Sequence, residues 1–136
     1  MSIDRLKNKI PDYAKDIKLN LSSLLGGSEP VQLSKLQIAQ LALVAAYASH
    51  QKTVIQSLEV FAKEQGMTVE ANHAIKTAAS LMAMNNVYYR SVHFIGNETY
   101  RKLPANLRMQ MLQRHGIDQK EFELYCVVVS AINGCE

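Results

Sequence analysis

Cys135 follows directly on Asn133-Gly134, a pair that ends helices, at the close of a run from Leu124 to Ile132 in which only Ser130 is polar. A thiol just past such a break has two readings. It opens a following helix, whose unbonded amides and positive dipole end stabilise a thiolate and make it a nucleophile. Alternatively it is a small buried hydrophobe, the usual fate of a free cysteine. Cys126 lies on the helical stripe Phe122, Tyr125, Cys126, Val129, which predicts burial and a structural role. On one helix the two cysteines stand about 13 Å apart along the axis, beyond the ~7 Å that a disulfide spans, so no bond between them is expected.

Glu123 is one of several acids in the first turns of the last helix. Its plain reading is a solvated carboxylate that matches the positive end of a helix opening at Asp118, together with Glu121. His50, His73, His93 and His115 have no metal-ligand spacing among themselves, and no paired-cysteine zinc pattern occurs, so a metal is not implied. No glycine-rich phosphate loop, nucleophile elbow or dinucleotide fingerprint appears, so no directly bound cofactor is expected. The stretch "MNNVYYRSVHF" (84 to 94) is the most polar-aromatic. Asn85 and Asn86 suit the end of a helix, and Tyr88 and Tyr89 suit a core, an interface or a pocket.

The elements that must hold these residues all read with helical period. Tyr13, Ile17, Leu21 and Leu24 form one stripe after Pro11 and stop at Gly26-Gly27. A loop, "GGSEPVQL" (26 to 33), leads to Ser34, which with Gln37 makes a capping box for a helix carrying Leu36, Ala39, Leu43 and Ala46. Thr53 and Gln56 repeat the device ahead of Val54, Leu58, Phe61 and Ala62, and Gly66 closes that helix. A long helix with the small-residue stripe Ala71, Ile75, Ala78, Met82 runs from near Thr68 into the Tyr88 region. A further helix is predicted in "ANLRMQMLQRHG" (105 to 116), and the last opens at Asp118 and is expected to be central, because it is apolar nearly all round.

"AMNN" (83 to 86) and "AING" (131 to 134) each look like the end of an apolar helix, 48 positions apart. A weak internal duplication is one reading of that echo and chance is the other. The chain is therefore expected to be all-α, one helical domain over 1–136.

Bulk composition narrows the function classes. With 136 residues, 48% apolar and 20% charged, the chain suits one globular core and is too hydrophobic for a disordered tail. Net charge is +3, but the basic residues are dispersed among acids, so nucleic acid is not implied. The apolar runs, such as "LALVAAYA" (41 to 48), fall far short of the ~20 residues of a membrane span. The opening "MSIDRLKNK" is polar where a secretory signal has an apolar core, so a cytoplasmic, reducing setting is expected.

Four blocks in order and spacing, "PDYAKDIKLNLSS" (11 to 23), "AMNNVYYR" (83 to 90), "LRMQML" (107 to 112) and "FELYCVVVSAINGC" (122 to 135), resemble segments of the alkyl hydroperoxidase D family. That family lies within the carboxymuconolactone decarboxylase superfamily. The resemblance implies an all-helical subunit of a homotrimer acting as a thiol-dependent antioxidant peroxidase and disulfide reductase. A Cys-x-x-Cys pair, the redox-active centre, would reduce hydroperoxides and regenerate a peroxiredoxin partner. Electrons would come from NADH through dihydrolipoamide dehydrogenase and a lipoyl-bearing acyltransferase. By the same resemblance Cys135 corresponds to the first cysteine, which closes the redox disulfide and exchanges with the partner, and Glu123 to the glutamate of a proton relay.

The sequence departs from that pattern at its end. The peroxide-attacking second cysteine would fall at the second position beyond Glu136, the relay histidine further on, and the family's closing helices after that. The 136 residues are accordingly expected to belong to a longer protein and to be inactive alone. Two other readings stay open: a non-catalytic helical oligomerisation module in which both cysteines are only packed, and a decarboxylase-like relative, against which the "INGC" ending favours redox chemistry.

Overall fold

The computed structural model describes residues 1–27 and 32–135, and every described element is helical. Helices α1 (Ile3–Asn8), α2 (Lys15–Gly26), α3 (Lys35–Ser49), α4 (Lys52–Glu64), α5 (Val69–Ile95), α6 (Glu98–Lys102) and α7 (Gln119–Ile132) follow one another in that order, with single 3-10 turns at Asp12–Ala14 and Gln110–Leu112. The loop expected over 26–33 lies partly outside the described residues.

Local cap chemistry sets most of the helix ends. Ser34 Oγ accepts from the Gln37 amide at 3.1 Å while Gln37 Oε1 accepts from the Ser34 amide at 2.9 Å, so the predicted capping box opens α3. Gly27 and Gly96 take the left-handed conformation that closes α2 and α5. The second predicted capping box does not form. Helix α4 starts one residue before Thr53, with Gln51 at its cap, and the Thr53 carbonyl instead accepts from the Ser57 hydroxyl.

Helix α3, not α7, is the central element. It packs against α2, α4, α5 and α7, and Ala39, Leu43 and Val44 have no exposed surface. Around it lie Leu58 and Ala62 of α4, Ala74, Ile75 and Ala78 of α5, and Phe122, Tyr125 and Val129 of α7. Alanines at the α5 contact let the helix axes come close, as its small-residue stripe predicts. The expectation that α7 is surrounded is corrected by its outer face, where Val127 is 60% exposed and Leu124 and Ile132 are also exposed. An apolar sequence shows that a face suits burial, but not that this chain supplies the cover. The α2 stripe makes the same point: Tyr13 is 94% exposed, and Ile17 and Leu24 also face outward.

Two further expectations change. Residues 103 to 109 are irregular, and only the 3-10 turn at Gln110–Leu112 stands where a helix over 105 to 116 was predicted. Pro104 forces Leu103 into an extended conformation, and Asn106 is left-handed with φ 54°, so the backbone never enters a helical run. Helix α5 continues unbroken through Asn85 and Asn86 to Ile95, so the helix end read at "AMNN" does not exist, and the parallel with "AING" is lost. Asn86 is buried and accepts from the Ser130 hydroxyl of α7 at 3.3 Å, a tertiary contact that outweighs the weak helix propensity of asparagine.

Candidate active site

Helix α7 carries Glu123 and delivers Cys135 just past its end, and each of its ends is built by an identifiable motif. At the start, Asp118 Oδ1 accepts from the Glu121 amide at 3.1 Å. Gly116, at φ 79°, makes the turn that delivers the chain to that cap. At the finish, Gly134 sits at φ 63°, its amide donates to the Ala131 carbonyl at 3.2 Å, and the Cys135 amide donates to the Ser130 carbonyl at 2.9 Å. These two bonds are a Schellman closure, and Cys135 is the residue whose amide completes it. Among the described residues, then, Cys135 completes the closure of α7; the segment that it would open lies beyond them.

Helix α5 fixes this junction from the side. The Arg90 guanidinium donates to the Asn133 carbonyl, a group that α7 itself cannot satisfy. Half-buried Cys135 lies in a cleft of about 360 Å³ lined by Tyr89, Arg90, His93, Phe94 and Gly134. Tyr88 and Tyr89 meet edge to face with ring centroids 5.1 Å apart, and both line an adjoining cleft of about 430 Å³. The polar-aromatic stretch of α5 therefore forms a wall beside the thiol, and its tyrosines are not core residues. Nothing in the spacing of residues 84 to 94 tied them to position 135.

Glu123 lies near the start of α7 and Cys135 just past its other end; the nine steps from Glu123 to Ile132 alone span about 14 Å of helix, so the described residues do not bring the carboxylate to that thiol. What it meets is different. Gln119 Nε2 donates to Glu123 Oε1 at 3.1 Å, and Gln119 Oε1 lies 2.8 Å from His115 Nε2. His115 is buried, with its ring stacked on Phe122 at a centroid distance of 4.0 Å. Sequence reasoning weighed His115 only as a metal ligand and passed over Gln119; the available signal was the four-residue spacing 115, 119, 123.

Cys126 is half-buried against the core, as its stripe predicts. Burial, with a smaller contribution from the Glu123 charge, pushes its thiol up to about 11, so near neutral pH it stays protonated and inert. No disulfide joins it to Cys135. Among the described residues no three His, Cys, Asp or Glu side chains converge as metal ligands, and no helix is long and apolar enough to cross a membrane.

No protein-family model matches the chain. Curated relatives do. Alkyl hydroperoxide reductase AhpD of Coxiella burnetii (strain RSA 493 / Nine Mile phase I) is 50% identical over 130 residues, covering 95% of this chain and 72% of the relative. The proteins of the same name from Bradyrhizobium sp. (strain BTAi1 / ATCC BAA-1182) and Streptomyces coelicolor are 47% and 46% identical over 135 residues, with 99% of this chain and 72% and 74% of the relatives covered. Identity of that level over nearly the whole chain, on an all-helical fold, places the protein in the alkyl hydroperoxide reductase AhpD family.

Proposed function

We propose that the intact protein is a thiol-dependent antioxidant peroxidase and disulfide reductase that regenerates a peroxiredoxin partner. The observation that carries this reading is the place of Cys135. It is half-buried at the lip of a cleft, held by a glycine-dependent helix closure and an arginine clamp, on a chain of the AhpD family. A thiol so held keeps one orientation toward an incoming disulfide or peroxide, the geometric requirement for exchange.

In the reaction, a thiolate attacks the distal oxygen of a hydroperoxide, the O–O bond breaks, the alcohol leaves with a proton and a sulfenic acid forms. A second thiolate attacks that sulfur, water is released, and a disulfide closes. Cys135 is the thiol that closes this disulfide and exchanges with the partner; the peroxide-attacking cysteine is the one implied three positions beyond it, outside this sequence. A donor dithiol then restores both thiols, two electrons per turnover. The donor is a lipoyl-bearing acyltransferase recharged by dihydrolipoamide dehydrogenase from NADH, in the cytoplasm, and the working assembly is a homotrimer. Glu123 accepts and returns protons through a segment that folds back alongside α7, since most of the length of that helix separates it from Cys135.

The test is peroxide consumption by the intact protein with a small dithiol as reductant. Cys135→Ser is expected to abolish turnover, and Glu123→Gln to lower it about a hundredfold, the low end for a general acid-base group. Retained turnover in Cys135→Ser overturns the assignment and leaves a packed helical module.

A further inference from the structure

We infer that His115 is a positioning residue for the Glu123 carboxylate and acts on it through Gln119. The inference rests on the relay role given to Glu123 above. Three hydrogen bonds in series make the connection. The Ile117 amide donates to His115 Nδ1 at 3.3 Å, His115 Nε2 meets Gln119 Oε1 at 2.8 Å, and Gln119 Nε2 donates to Glu123 Oε1 at 3.1 Å.

The polarity of this series is fixed from both ends. A backbone amide only donates, so His115 Nδ1 accepts and the ring proton sits on Nε2. An ionised carboxylate only accepts, so Gln119 turns its amino group to Glu123 and its carbonyl oxygen to the histidine. The two requirements meet at Gln119 without conflict, and every donor in the chain has its acceptor.

Rigidity enters at the histidine. Its ring lies within 5° of parallel to Phe122, a core residue with 1% exposure, and is itself only 9% exposed. Gln119 and Glu123 are both exposed and, on a free helix surface, would sample several rotamers each. Tied to a buried anchor, Gln119 holds one carboxylate oxygen in a fixed direction and leaves the other to exchange protons. A buried histidine that served only as packing would need the ring but not this ordered set of donors.

The test separates ring from donor. His115→Phe keeps the stack on Phe122 and removes both nitrogen functions; Gln119→Leu breaks the link without touching the core; His115→Gln restores a donor and an acceptor. With dithiol and an alkyl hydroperoxide, the first two are expected to lower kcat about tenfold at unchanged KM, the size of one hydrogen bond to a charged group, with His115→Gln recovering most of the loss. In a Glu123→Gln background, Gln119→Leu is expected to cost nothing more, because its effect runs through that carboxylate. Nitrogen-resolved NMR of the wild-type ring is expected to show the proton on Nε2, a readout independent of turnover. Wild-type kcat in Gln119→Leu, an additive loss in the double variant, or a proton on Nδ1 overturns the inference while leaving the thiol chemistry intact. If Glu123→Gln alone turns over normally, it is the relay reading that fails.

Discussion

Replacing Gly134 probes the junction on which the placement of Cys135 depends. With φ at 63°, any side chain there sits in the left-handed region, which costs a non-glycine residue about 1–2 kcal/mol. Space adds nothing, because a β-carbon on Gly134 would meet only the Arg90 guanidinium, at 4.0 Å. A smaller and stiffer unfolded ensemble returns about 0.4–1 kcal/mol to an alanine variant. Gly134→Ala is therefore expected to lose about 1 kcal/mol, or about 4 °C in melting temperature for a chain of this size. Gly134→Asn, whose side chain tolerates the left-handed conformation, should lose about half as much, and Gly134→Val, β-branched, about 2 kcal/mol or more. Urea unfolding of the series, read alongside hydrogen exchange at the Cys135 amide, gives both the energies and the local consequence. Alanine as stable as glycine, or asparagine less stable than alanine, would show that the helix does not close in this way.

Cys126 should alkylate slowly in a Cys135→Ser background. With its thiol pushed up to about 11, about one molecule in a thousand is thiolate at pH 8, and the rate should climb about tenfold per pH unit from 7 toward 10. Because burial is the larger cause, Glu123→Gln should move that profile only slightly toward lower pH; a plateau below pH 9 in the parent would contradict the burial. Phe122→Ala removes a core ring that also carries the His115 stack, and a loss of about 3–5 kcal/mol in denaturant unfolding is expected, a large share of the stability of a domain this size. Arg90→Met keeps the stem but loses the bond to the Asn133 carbonyl. A loss of about 1 kcal/mol and faster exchange of the Gly134 and Cys135 amides are expected, and unchanged exchange would mean that the clamp does not hold the junction.

Much of the fold was legible because helix ends are local chemistry. The capping box at Ser34 and Gln37, the cap at Asp118 and the stops at Gly27, Gly66 and Gly134 each involve residues no more than five apart, so the sequence alone specifies them. Where the same local rule failed, at Thr53, the helix had already begun one residue earlier, behind Gln51. Asn86 of α5 misled for a different reason: its side chain is taken up by α7, 44 residues away at Ser130.

Sequence alone determined that the chain is helical, where most of its helices stop, and that Cys135 lies just beyond the apolar helix that opens at Asp118. Tertiary structure decided which apolar helix is central, which faces remain open, that the α5 aromatics wall in the thiol, and that a buried histidine reaches Glu123 through Gln119. The division follows from range. A cap is satisfied by its own neighbours, whereas burial and side-chain partnership depend on which helix arrives from elsewhere in the chain, and an apolar or polar periodicity carries no address for its partner.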